Sequence, residues 1–165
     1  MALFNNHILF PTDFSNNAKR ALPFAAAIAQ RTQAKLTLFH ASQDTMDFAP
    51  SFETTKEETI DQADKYFNEL ISELREDEKF NDLNISTILQ SGQPTTSLLN
   101  TIAEHKPDLV VMGTKGATGD RNVLMGSVTT NIIKKSAVPV LAIPEGCKFD
   151  NFENILFTTD YKEGD

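Results

Sequence analysis

The segment Met112–Ser127, MGTKGATGDRNVLMGS, groups Gly113, Gly116 and the pair Gly126-Ser127 at the spacing G-x2-G-x9-G-S. It joins an apolar run to an amphipathic one. Glycines grouped this way let the main chain come close to a ligand, and a helix beginning at the last of them presents N–H groups with no intrahelical partner. Those amides and the helix dipole favour a phosphate. In this reading Gly113 leaves room beside a sugar and Gly116 takes a left-handed turn. Gly126 and Ser127 supply free amides and a hydroxyl, with Thr129 and Thr130 assisting in the first helical turn. Asp13 follows another apolar run, and its ionised carboxylate can only accept hydrogen bonds, from an adenine amine or a ribose hydroxyl. Singly, each residue has a plain structural role, an aspartate capping a helix or a glycine making a turn. Jointly they point to a nucleotide-binding domain. The chain lacks G-x-x-x-x-G-K-[ST], G-x-G-x-x-G and the SGGxDS-like loop of adenylating enzymes, so those chemistries are not supported.

Positioning these residues requires strands and helices in a set order. Short apolar runs predict strands over His7–Pro11, Lys35–Ala41, Asn84–Gln90, Asp108–Met112 and Val138–Ile143. Several are almost continuously apolar, as in a parallel sheet covered on both faces. Between them, Asn16–Arg31 predicts an alanine-rich helix capped by Ser15, with Pro23 implying a kink or a late start. Lys56–Glu76 carries Ile60, Ala63, Phe67, Leu70, Ile71 and Leu74 on one stripe, with Thr55 and Glu58 at capping-box spacing. Pro94–His105 and Ser127–Ser136 complete the helices, and the charged run Glu73–Lys79 reads as a polar helix end.

Alternation of strand and helix predicts a doubly wound α/β fold, a five-stranded parallel sheet of order 3-2-1-4-5 with helices on both faces. That order makes the first and fourth strands neighbours where the winding reverses, the place where open sheets bind ligands. Asp13 and the glycine segment then meet. The long acidic loop from Ser42 to Thr54 is either a lid or interface loop, or a surface excursion. Ile8–Phe14 (ILFPTDF) returns as Ile155–Tyr161 (ILFTTDY), five of seven positions identical at an offset of 147 residues. This predicts one domain over residues 1–146 and, over 147–165, a linker and the first strand of a second similar domain.

With 165 residues, a net charge of -8 and a pI near 4.8, the chain suits one acidic domain and offers no basic cluster for nucleic acid. Cys147 is the single cysteine, consistent with a reducing cytoplasm. The first residues have no secretory pattern, and no apolar run is long enough for a membrane span. His7, His40 and His105 lack metal-site spacing, and His40, inside an apolar strand, reads as a hydrogen-bonded core or pocket-edge residue.

At these residues the chain resembles the universal stress protein family, whose ATP-binding signature G-x2-G-x9-G-[ST] is matched by Gly113, Gly116, Gly126 and Ser127. The opening strand, with Pro11 and Asp13 ahead of Ser15, is similar too, and the resemblance covers residues 4–144. It implies an adenine nucleotide α-hydrolase-like fold that binds ATP, ADP or AMP, commonly with Mg2+. Adenine would lie near Pro11, Thr12, Asp13 and Ala41, the last being smaller than the usual aliphatic residue and so widening the pocket. Met112 and Gly113 would adjoin the ribose, Lys115 occupies a position often basic or histidine, and Gly116, Gly126, Ser127, Val128 and Thr129 would line the phosphates. The resemblance further implies pairing through Val138–Ile143, as a homodimer or with a second domain. The expected function is that of an ATP-binding regulatory module in stress response, with at most slow hydrolysis or autophosphorylation. A nucleotide-independent interaction scaffold is the alternative reading.

Overall fold

The computed structural model describes residues 6–42, 56–116 and 125–147. The second-domain repeat, Thr55 of the capping box and nearly all of the long acidic loop lie outside the described residues. The sheet consists of β1 (His7–Pro11), β2 (Lys35–Ser42), β3 (Ile85–Ser91), β4 (Leu109–Gly113) and β5 (Val140–Ile143). All pairings are parallel, in the order β3-β2-β1-β4-β5. Among the described residues, four α-helices connect the strands: α1 (Asn16–Thr32), α2 (Lys56–Arg75), α3 (Pro94–His105) and α4 (Ser127–Lys135). This is the expected doubly wound α/β fold.

The period-2 alternation of strand side chains divides the core in two. Ile8, Phe10, Leu36, Leu38 and Val111 face α1 and α2. Leu9, Phe39, Val110 and Met112 face α3 and α4, against Leu98, Ile102 and Ile132. Strands apolar on both faces are thus explained by a covering layer on each side. On α1 the fully buried Ala21, Ala25, Ala26 and Ala29 keep the helix surface thin, so it sits close on the sheet. The helix is capped at Ser15, whose Oγ accepts from the Ala18 N–H, and runs through Pro23. A late start is therefore excluded.

Several boundaries shift. The strand expected at Val138 starts at Val140, because Ser136 Oγ accepts from the Val138 N–H and donates to the Val138 carbonyl, holding that stretch in a turn. The strands expected from Asn84 and Asp108 each begin one residue later; the Asn84 carbonyl still accepts from the Leu36 N–H, and the Asp108 N–H still donates to the His7 carbonyl. On α2, Ala63, Phe67, Leu70 and Leu74 are buried as the stripe predicts, but Ile60 is 48% exposed. The charged end of α2 is not simply frayed. After Arg75 a single 3-10 turn, Glu78–Phe80, buries Phe80 in the core, and Asp77 caps it by accepting from the Lys79 N–H.

A polar chain crosses the N-terminal ends of the strands. His7 Nε2 lies 2.9 Å from Thr37 Oγ1, which lies 3.0 Å from Ser86 Oγ, and the His7 N–H donates to Asp108 Oδ2. Burial holds the His7 imidazole below the usual histidine range, and the nearby Lys35 and His105 act the same way; hydrogen bonding to the His105 backbone and the Asp108 charge offset them in part. A lowered folded value means the unfolded chain binds the proton more readily, so the stability this group contributes is present above its ordinary value and is lost as pH falls through it. The melting temperature is accordingly expected to fall between about pH 7 and pH 5, and His7→Gln to flatten that slope. An unchanged slope in the variant would show that other groups carry the acid sensitivity.

Candidate functional site

The carboxyl ends of β1, β2 and β4 form the crevice. At the end of β1 the chain turns within a few residues. The Thr12 N–H donates to the Phe39 carbonyl at 2.8 Å, continuing the ladder to β2. Thr12 Oγ1 then accepts from the Phe14 N–H at 3.0 Å, and Asp13 Oδ1 accepts from the Ser15 N–H at 3.1 Å. Phe14 has φ +60°, a left-handed conformation that costs a non-glycine residue about 1–2 kcal/mol. Its ring contacts offset that cost: the centroid lies 4.5 Å from His40, 5.1 Å from Tyr66 and 5.2 Å from Phe67. The plain role of Asp13, shaping the turn before α1, is therefore real and uses Oδ1.

Its other oxygen meets the glycine segment. A Cβ built on Gly116 would lie 2.6 Å from Asp13 Oδ2. Gly116 is glycine because the carboxylate across the crevice occupies the space of a side chain. The expected left-handed turn is not found there, since the described positive-φ glycines are Gly92 and Gly146.

The start of α4 also differs from expectation. The Gly126 amide is not free for a ligand, because it donates to the Thr114 carbonyl at 2.7 Å. The Thr129 hydroxyl donates to the Gly113 carbonyl and the Thr130 hydroxyl to the Gly126 carbonyl, both at 3.0 Å. Neither hydroxyl proton is left for a phosphate. These bonds instead seat the first turn of α4 against the end of β4. The helix's first intrahelical acceptor is Gly126, bonded by the Thr130 N–H at 3.0 Å. The amides of Ser127, Val128 and Thr129 precede that bond, and the N-cap has no side chain to satisfy them. They and the Ser127 hydroxyl are the donors that remain for an anion.

Pro11, Thr12, Asp13, Ala41, Met112, Gly113, Lys115, Gly116, Gly126, Ser127, Val128 and Thr129 all line one cavity of about 230 Å³. The structure thus brings these residues together, whereas Thr130, also expected to assist, does not line the cavity. It adds Ala18, Phe39, His40, Pro94 and Leu98. Phe39 and Leu98 read only as core in an apolar pattern, and Pro94 only as a helix start. Their part in the crevice comes from the packing of α3 over the end of β2. His40 does stand at the edge, with Nδ1 2.8 Å from the Thr12 carbonyl. A carbonyl can only accept, so this nitrogen carries the hydrogen.

The walls differ in character. Phe39, Ala41, Pro94 and Leu98 make the β2 side apolar, while Lys115, Gly116 and Ser127 bring donors to the β4 side. Lys115 is largely enclosed, with 15% of its side chain exposed, and its Nζ lies 3.2 Å from Oε2 of Glu145, which is 48% exposed.

Comparisons with known proteins bear on the family and the fold. Residues 5–144 match the model of the family described as the universal stress protein family. The chain is 31% identical over 141 residues to the Thermus aquaticus "Universal stress protein in QAH/OAS sulfhydrylase 3'region", covering 82% of this chain and 96% of the relative. It is similar to the solved universal stress protein UspA of Lactobacillus plantarum, at 26% identity and a TM-score of 0.69, covering 82% of this chain and 95% of that one. The fold is also that of a universal stress protein from Archaeoglobus fulgidus solved in complex with dAMP, at 23% identity and a TM-score of 0.60, covering 82% and 95% of the two chains.

The contact between Asp13 and Gly116 can be tested by a double-mutant cycle. Gly116→Ala is expected to cost about 1 kcal/mol, because the new methyl must displace a carboxylate already tied by Oδ1. In an Asp13→Ala background the same change should cost much less. Equal costs by urea denaturation would mean that the close approach does not constrain the crevice.

Proposed function

The chain belongs to the universal stress protein family, and on that footing we propose that its crevice binds an adenine nucleotide and that the domain acts as an ATP-binding regulatory module in stress response. One observation carries this reading: a single cavity joins an apolar wall at the end of β2 to the uncapped amides of α4 beside β4. A purine is flat and apolar on its faces with polar edges, and a phosphate seeks N–H donors at a helix start. The strand order holds the two walls on opposite sides of β1. The base would lie against Phe39, Ala41 and Leu98, the ribose near Gly113 with Asp13 accepting from a hydroxyl, and the phosphates at Gly116, Ser127, Val128 and Thr129. A cavity of about 230 Å³ accommodates a base and sugar, with the phosphates at the mouth over α4. That the Archaeoglobus fulgidus protein was solved with dAMP on this fold supports an adenine nucleotide as the ligand.

Magnesium in this proposal enters with the phosphates. Among the described residues no group of three or more His, Cys, Asp or Glu could hold a metal ion by itself. The cation would shield a polyphosphate from Asp13 and Glu145, whose carboxylates flank the donor side. The outer edge of β5 is the proposed surface for pairing with a second copy or a second domain, since its ladder partner β4 satisfies one edge only.

The test is ligand-induced stabilisation. ATP, ADP or AMP at about 100 times its dissociation constant should stabilise the folded chain by about 2.7 kcal/mol, with magnesium enhancing the effect for ATP. Gly126→Val should abolish the shift while the fold persists. A Cβ there meets its nearest atom, the Thr114 carbonyl oxygen, at an ordinary 3.5 Å, and the added methyls would crowd the donor side of the crevice. No stabilisation by millimolar nucleotide would favour a nucleotide-independent scaffold, and undiminished binding in the variant would place the site elsewhere.

A further inference from the structure

Lys115 and Glu145 come from different connections. Lys115 stands in the segment leaving β4, and Glu145 in the tight turn after β5, where the Cys147 N–H donates to the Pro144 carbonyl. Their ion pair spans 3.2 Å and ties that turn to the donor side of the crevice. The lysine lines the cavity and the glutamate does not. One ammonium thus has two prospective anionic partners, the protein's own carboxylate and a ligand's phosphate.

The two cannot be held equally well together. Anions bound to one ammonium lie within roughly 4–6 Å of each other, a separation at which like charges strongly disfavour one another. The asymmetry of exposure decides which yields. Lys115 is largely enclosed, so its ammonium stays at the cavity, whereas Glu145 is half exposed and can turn into water. A phosphate carries more charge than a carboxylate and more acceptor oxygens. A partly exposed pair such as this one is weak, so a bound phosphate can break it at small cost.

We propose that Glu145 is a displaceable internal counter-ion of the nucleotide site: a phosphate-bearing ligand takes Lys115 from it and so releases the turn Pro144–Cys147 after β5. The inference rests on the adenine-nucleotide reading above. It makes Glu145 a specificity-determining residue, which lowers affinity for phosphorylated ligands and leaves the bare nucleoside untouched. It also gives the site an output, because the released turn continues directly from the edge strand.

Titration calorimetry of the full chain with AMP, ATP and adenosine tests the first part. Glu145→Gln should tighten AMP and ATP roughly two- to fivefold, the range expected for removing a weak competing ion pair, and leave adenosine unchanged. Lys115→Met in the same background should erase the gain. Equal affinities in wild type and Glu145→Gln would overturn the proposal, as would weaker nucleotide binding in the variant, which would mean that Glu145 positions the lysine. The second part has a reporter in the chain itself. Cys147, exposed and the single cysteine, can carry an environment-sensitive fluorophore. Its emission should change on adding AMP or ATP to the otherwise unaltered protein and not on adding adenosine. An indifferent probe at saturating nucleotide would overturn the release of the turn. Failure of the wild-type chain to bind any of the three ligands would refute the nucleotide reading itself, a different outcome from binding without dependence on Glu145.

Discussion

The crevice exists because β1 and β4 are hydrogen-bonded neighbours although more than half of the chain separates them. From β1 the chain winds outward through β2 to β3, then returns to place β4 on the other side of β1. The connection after β1 leads to α1 on one face of the sheet, and that after β4 leads to α4 on the other. Two connections leaving a shared boundary in opposite directions cannot fill the space between them. Every residue of the candidate site depends on this divergence, including the approach of Asp13 to Gly116.

The use of donors within the crevice is selective. The Gly126 amide and the hydroxyls of Thr129 and Thr130 are all consumed by main-chain carbonyls. A helix start held only by its own first turn would fray, and these bonds fix α4 against β4 before any ligand arrives. Donors bound to the protein in this way position the ones left over, the amides of Ser127, Val128 and Thr129. Preorganisation of that kind reduces what a ligand must order on binding.

The turn after β1 shows the same division of labour within one side chain. Asp13 Oδ1 shapes the turn, and Oδ2 reaches across to the glycine segment. Phe14 accepts an unfavourable backbone conformation because its ring is enclosed by His40, Tyr66 and Phe67, from β2 and α2. His40 in turn bonds the Thr12 carbonyl. The geometry at the crevice is thereby braced from the far face of the sheet.

Much of this was legible in residue order. Apolar runs such as those around Ile8–Phe10 and Val110–Met112 mark strands because burial on both faces leaves no polar position, and the glycine spacing marks a place where backbone must approach something closely. Local composition therefore determined the elements, their order along the chain and part of the crevice's lining. What the close approach at Gly116 is to, which amides of α4 stay uncommitted, that Pro94, Phe39 and Leu98 form a wall, and that Lys115 already has Glu145 as a partner were decided only by the packed chain. Each of these is a distance between residues far apart in sequence, and such distances are set by which strands pair and how the helices lie across them, not by any residue's own preference.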